Sequence, residues 1–248
     1  MIELTDIHVN IPVFLNDYSR AIRTVLGERI FGGRLSAGRG GKVTVNALRG
    51  VSLTVRPGER VGLIGRNGAG KTTLLRVIAG IIPVSSGTVQ VDGEVRSFFN
   101  LGAGLDLTRS GLGNIESMSM FYTRDRVLIR DTTPGVIEFA DLGDFIHMPV
   151  YTYSAGMQAR LMVAIATAYG GDIIIFDEML GAGDASFIGK VEKRLGDLLS
   201  AAKCVVVASH STDLLKRLCD RALWIDQGLV RAQGSVEEVG ELYRKSMT

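Results

Sequence analysis

Apolar positions along the chain repeat in three ways, and each predicts a different element. Period-two alternation marks half-buried strands. It is loose over 2–9, IELTDIHV, which reads as an edge-type strand before Pro12 interrupts, and clean at Val51, Leu53 and Val55. Val89 and Val91 alternate again, and Val95 to Phe99 returns after Asp92-Gly93, a hairpin turn signal. Short unbroken runs mark buried strands: Val61, Leu63 and Ile64, then Ile173-Ile174-Ile175-Phe176, then Val205-Val206-Val207-Ala208. A strand apolar on both faces belongs in a parallel sheet covered by helices. Helical spacing appears at Ala21, Ile22, Val25, Leu26 and Ile30, and at Leu74, Leu75, Val77 and Ile78. It appears again at Ile115, Met118, Phe121 and Tyr122 on one face and Val136, Ile137, Phe139 and Ala140 on another. Those methionines and aromatics read as core. Further helices are predicted over 185–202, 211–219 and 235–246, with strands at Ala222 to Ile225 and Leu229 to Arg231 around Gln227-Gly228. Residues 32–42 and 101–113 read as loops. Strands alternating with helices predict an α/β fold.

Composition narrows the picture. A chain of 248 residues accommodates one large domain or two small ones. A net charge of +2 gives no electrostatic footprint for nucleic acid. The longest apolar run, Leu161 to Gly171, is broken by Asp172 and falls short of the ~18 residues a membrane span needs. The opening Met-Ile-Glu-Leu-Thr-Asp has no signal-peptide character, and Cys204 and Cys219 lack metal spacing and read as buried free thiols. A cytosolic protein is expected. From Arg20 to Lys42 basic residues outnumber the single acidic Glu28, and this segment reads as a solvated surface insertion rather than a face for anionic lipid.

The candidate chemistry starts at Gly65-Arg66-Asn67-Gly68-Ala69-Gly70-Lys71-Thr72, which fits G-x-x-x-x-G-K-[ST] at every position. It lies between the strand at Val61 and the helix at Leu74, and Thr73 continues it. Glycines let the backbone curl so that its N–H groups face phosphate oxygens, and the helix N-terminus adds positive dipole. Lys71 supplies a point charge for the β- and γ-phosphates, and the Thr72 hydroxyl suits Mg²⁺. Asp177-Glu178 and His210 each follow an apolar strand, and in parallel sheets ligands sit at such strand ends. Asp177 suits a Mg²⁺ contact, Glu178 a general base polarising the attacking water, and His210 a γ-phosphate contact.

With these motifs in this order, the chain resembles the nucleotide-binding subunit of an ABC transporter over residues 43–235. Gly65 to Thr72 match the family's Walker A motif, and Asp177-Glu178 match Walker B with its catalytic glutamate. Gly183-Asp184 match the D-loop, and His210 the switch histidine. Tyr153-Ser154-Ala155-Gly156-Met157 occupy the signature position. The resemblance implies ATP and Mg²⁺ as ligands. It also implies a homodimer in which Ser154, Ala155, Gly156, Met157 and Asp184 act across the interface on ATP held by the partner copy. An aromatic in the N-terminal segment stacks on adenine in this family; Phe14 and Tyr18 are the candidates, and Tyr18 is preferred. The implied fold is a P-loop NTPase core with a mostly parallel sheet, an antiparallel β subdomain and a helical subdomain. One domain is expected over 1–248. Its parts are an N-terminal strand, helix and insertion (1–42), a core (43–100 and 172–235), a helical region (101–171) and a closing helix (236–248).

Two departures narrow the family. Y-S-A-G-M stands where L-S-G-G-Q is usual, and Leu101 stands where a glutamine usually contacts Mg²⁺ and the membrane partner. Y-S-x-G-M, the L-G-A-G run and Gly183-Asp184-Ala185-Ser186-Phe187 resemble the subfamily that exports O-antigen, capsule, teichoic acid and related glycans. The resemblance thus implies an ATPase driving export of a lipid-linked polysaccharide. It would sit at the cytoplasmic face of the inner membrane, docked through 101–113 and 114–150 on a separate integral-membrane permease. Some members carry a C-terminal carbohydrate-binding domain. This chain stops at Thr248, so glycan selection is expected elsewhere, with the glycan contacted only indirectly. A soluble ABC-type ATPase acting on DNA or ribosomes is the alternative. It fits less well, because there is neither a zinc module nor a second copy of the motifs. A small-molecule kinase would need neither the signature nor His210.

Overall fold

The computed structural model describes residues 1–14, 35–37, 42–99, 101–177 and 185–247. The helix expected within 17–31, Tyr18, most of the 32–42 loop, Glu178 and Gly183-Asp184 lie outside the described residues. The chain forms two compact units. The first gathers Met1–Gly93, Ile175–Glu178 and Lys203–Thr248, and the second Glu94–Ile174 and Met179–Ala202.

The first unit holds an antiparallel sheet of β1 (Ile2–Phe14), β2 (Leu35–Ala37), β3 (Lys42–Val55) and β5 (Ser86–Val91), in the order β2-β3-β1-β5. Its apolar alternation slips phase once. Ile2 and Leu4 are buried, then Ile7 and Val9, because a bulge at Asp6, with φ 50°, inserts between them. That bulge is why the sequence pattern over 2–9 is loose. Pro12 does not end β1, as its sequence suggested. Nor is 2–9 an edge: Ile2 to His8 lie between β3 and β5, and β1 becomes an edge only past His8, where β5 leaves the pairing and the missing proline N–H costs no ladder bond.

The same unit carries the parallel strands. β4 (Arg60–Ile64) pairs parallel with both β8 (Cys204–Ala208) and β9 (Arg221–Asp226). β10 (Leu229–Gly234) pairs antiparallel with β9, and β7 (Ile173–Asp177) lies beyond β8. Helices α1 (Lys71–Ile78), α6 (Thr212–Leu218) and α7 (Val236–Lys245) pack on these strands. The burial pattern of β8 is complete, every residue lying inside, as its unbroken apolar run predicts.

The Asp92-Gly93 hairpin is not formed. β5 pairs with β1, Val91 opposite Ile2, and Asp92 N–H donates to Met1 O. β6 (Val95–Phe98) belongs to the second unit and neighbours the start of β7, where Ile173 N–H donates to Glu94 O at 3.0 Å. The second unit is otherwise helical: α2 (Gly111–Ser119), α3 (Arg126–Ala140), α4 (Ala155–Ala166) and α5 (Ala185–Ala201), with 3₁₀ turns at Gly143–His147 and Val150–Thr152. Ile115, Met118, Val136, Ala140, Leu161 and Ile165 form its core. Phe121 departs from expectation. It lies past the end of α2 and is 72% exposed. Cys204 is buried in β8, whereas Cys219 caps the end of α6 and is half-buried; both are free thiols. Among the described residues no helix is long and apolar enough to cross a membrane.

Candidate active site

The glycine-rich loop begins where β4 ends. Val61 and Leu63 are fully buried and Ile64 nearly so, and pairing on both sides fixes the end of the strand. Gly65 then turns the chain where no side chain fits. A Cβ there would lie 2.1 Å from Ile225 O. Gly70, with φ 115°, is the N-cap of α1 and has no side chain with which to cap it. The first bond into the helix is Leu74 N–H to Gly70 O. The amides of Lys71, Thr72 and Thr73 precede that bond, so they have no acceptor within the helix. No acidic residue sits in this first turn. The result is an uncompensated positive helix end, suited to an anion.

A cleft of about 420 Å³ opens over this loop. Residues 67–73 line it together with Asp177, at the end of β7, and with Ile11, Val45 and Ala47. Lys71 is 6% exposed. Its ammonium folds back over the loop, donating to Gly65 O at 2.6 Å and Arg66 O at 3.2 Å. Burial pushes its pKa below the ordinary lysine value, and the Asp177 carboxylate partly opposes that shift. The structure therefore brings Asn67, Gly68, Ala69, Gly70, Lys71, Thr72, Thr73 and Asp177 to one cleft. Gly65 and Arg66 are not lining residues; their carbonyls accept from Lys71. The donors also fit a magnesium ion in kind. The Thr72 hydroxyl and Asp177 carboxylate are two hard oxygens, and Mg²⁺ takes few protein ligands beside water and phosphate.

His210 is exposed and does not line the cleft. It lies in the same unit, held near the loop strand because Ser209 N–H donates to Leu63 O at 3.0 Å. Ser154, Ala155, Gly156 and Met157 lie in the second unit at the start of α4. Ser154 is the N-cap, and its Oγ accepts from Met157 N–H at 3.2 Å. Tyr153 is buried, and its hydroxyl donates to Phe145 O at 2.5 Å. Leu101 packs with Val163, Phe187 and Val191, an apolar contact in place of a ligand.

The apolar wall of the cleft was not foreseen from the sequence. Ile11 of β1 and Val45 of β3 stand directly opposite, and Ala47 shares the face of Val45. The signal was present in the alternation Val43, Val45, Ala47, but Pro12 concealed that β1 continues to meet it.

The family model described as "ABC transporter" matches residues 48–181, more than half of the chain. The chain belongs to the ABC transporter family. It is an ATP-hydrolysing member of it. As an ABC ATPase it is 43% identical over 225 residues to the O-antigen export system ATP-binding protein RfbE of Yersinia enterocolitica, covering 91% of this chain and 94% of the relative. It is 41% identical to the O-antigen export system ATP-binding protein RfbB of Myxococcus xanthus, covering 82% of this chain and 47% of the relative. The teichoic acids export ATP-binding protein TagH of Listeria monocytogenes is 39% identical, with 79% of this chain and 58% of the relative covered. The chain thus spans about half the length of the latter two. In fold it resembles a dimeric ATP-binding cassette in a post-hydrolysis state with ADP and Pi, at TM-score 0.68 and 21% identity, over 95% of this chain and 99% of that one.

Proposed function

We propose that this ABC ATPase is the motor subunit of an exporter of a lipid-linked polysaccharide. It works as a homodimer on a separate integral-membrane permease at the cytoplasmic face of the inner membrane. The observation that carries this reading is the match to the Yersinia export protein, which runs through nearly all of both chains. The signature Tyr153-Ser154-Ala155-Gly156-Met157 and the apolar Leu101 are in keeping with it.

In this reading the triphosphate of ATP enters the cleft at the uncapped start of α1. Lys71 leaves the carbonyls of Gly65 and Arg66 for the β- and γ-phosphates. Amides from Asn67 to Thr73 cradle the phosphate oxygens, with Gly65 and Arg66 shaping the entry to the loop. The base packs on Ile11 and Val45, and Tyr18 is the aromatic candidate beyond β1. Thr72 and Asp177 would hold Mg²⁺, whose charge offsets that developing on the phosphate oxygens. Glu178 polarises the attacking water, and His210 contacts the γ-phosphate. Ser154 Oγ already accepts from Met157 N–H, which leaves its O–H hydrogen to donate to a phosphate oxygen. With Ala155, Gly156, Met157 and Asp184 it meets ATP bound to the partner copy. ATP closes the dimer, hydrolysis reopens it, and the loop 101–113 with the helices of 114–150 passes the movement to the permease.

Deletion of the gene in its own cell tests this. Lipid-linked glycan accumulates on the cytoplasmic side, and export returns with the wild-type chain but not with Lys71→Ala. Unchanged surface glycan in the deletion strain contradicts the reading.

A further inference from the structure

The turn joining β9 to β10 does not line the cleft, yet the phosphate loop rests on it. Gly228 N–H donates to Ala69 O at 2.8 Å. A Cβ on Gly70 would come 3.5 Å from Gly228 Cα, and one on Gly65 would meet Ile225 O. The turn is in turn fastened to β3. Arg49 N–H donates to Gly228 O at 2.8 Å, and Arg49 Nε donates to Gln227 O at 2.9 Å. Gln227 and Gly228 have φ of 50° and 77°, the two left-handed residues of a tight hairpin turn. A Cβ on Gly228 would lie 2.6 Å from Ala47 O, so the turn has no room to shift toward β3.

The consequence follows from peptide geometry. The Ala69 carbonyl and the Gly70 N–H share one planar trans peptide and point in opposite directions. Holding Ala69 O on Gly228 therefore aims the Gly70 N–H away from the turn, and Gly70 lines the cleft. Two donors on Arg49 thus fix a turn that fixes the orientation of a phosphate-facing amide.

We propose that the Gln227-Gly228 turn is a brace for the phosphate loop and that Arg49 is a positioning residue for nucleotide binding. The proposal rests on the ATP site and not on the export reading. Arg49→Met keeps the packed stem and removes the Nε donor. Arg221 serves as a control on the same strand pair. It donates to Thr54 O and pairs with Glu59 at 3.1 Å, on the far end of β9 from the turn.

The test is calorimetric titration with MgATP and steady-state ATPase kinetics on the full chain. Arg49→Met raises Kd and KM about 5–10-fold, a fraction of the worth of the lost charged-donor bond because the backbone N–H of residue 49 still holds the turn, with kcat held within about twofold. Arg49→Lys restores most of the affinity, because its ammonium again donates to Gln227 O. Gly228→Ala, strained at φ 77° and against Ala47 O, weakens binding further. Arg221→Ala lowers Tm and leaves Kd unchanged. An unchanged Kd in Arg49→Met overturns the proposal. So does a rise in Kd for Arg221→Ala as large as that for Arg49→Met, since general loosening of the fold would then be the cause.

Discussion

Replacing Lys71 with Met separates the stability of the site from its affinity. In the folded chain the Lys71 ammonium makes two bonds to loop carbonyls, at 2.6 and 3.2 Å, and is 6% exposed. Bonds from a charged donor are worth about 1.5–3 kcal/mol each, and burying an ammonium costs several kcal/mol. Burial lowers the Lys71 pKa and the Asp177 carboxylate only partly opposes it, so the folded site disfavours the charge. Because the folded pKa lies below the unfolded one, the unfolded chain binds more protons in the alkaline window between them. Wild-type stability therefore rises with pH there, and Lys71→Met flattens the rise. At neutral pH the substitution leaves the nucleotide-free Tm unchanged or a few degrees higher. Affinity moves the other way. A lysine–phosphate contact near 4 Å is worth about 4 kcal/mol at an effective dielectric of about 20, or roughly three decades in Kd. Thermal unfolding with and without MgATP reads both effects. At a hundredfold excess over Kd the wild type gains about 2.7 kcal/mol, roughly 5–11 °C. Lys71→Met shows no gain. A variant that keeps the ATP-induced shift, or whose nucleotide-free Tm drops by more than about 10 °C, refutes the reasoning.

Two further outcomes follow from buried groups. Tyr153→Phe removes the hydroxyl that donates to Phe145 O, costing about 1 kcal/mol and lowering Tm by roughly 2–4 °C; calorimetry showing no fall would make that bond dispensable. Cys204 is fully buried, and burial, aided by Asp220, pushes the Cys219 thiol up to about 12. Neither reacts with a thiol reagent in the native protein near pH 8, and both react in guanidinium; rapid native labelling would contradict the packing around them.

The sequence made the phosphate loop legible because its chemistry is contiguous. Strand, glycines, lysine and helix lie within twenty positions, and each local signal agrees with the next. Asp177 was equally readable, since an unbroken apolar run leads into it. The antiparallel sheet was harder. Asp92-Gly93 carries a hairpin signal, but β5 takes its partner from Ile2–Leu4 at the far end of the chain, and a local turn signal cannot report that pairing. Pro12 misled for a similar reason. Its tolerance depends on β5 ending at His8, a fact of sheet order rather than of the residues around it. The apolar wall and the brace at Gln227-Gly228 are non-local in the same sense. Ile11, Val45 and Arg49 acquire their roles only when β1, β3 and the β9–β10 turn are placed together. Phe121 shows the limit of periodicity, which continues past Ser119, the last residue of α2.

In the proposed cycle, ATP held by the phosphate loop of one copy is closed over by the signature residues of another. The mass in solution of Glu178→Gln, with and without MgATP, tests it most directly. A monomer without nucleotide and a dimer with it are expected, the dimer being lost when Ser154→Ala is added. A monomer at saturating MgATP, or a dimer indifferent to both nucleotide and Ser154, would contradict it.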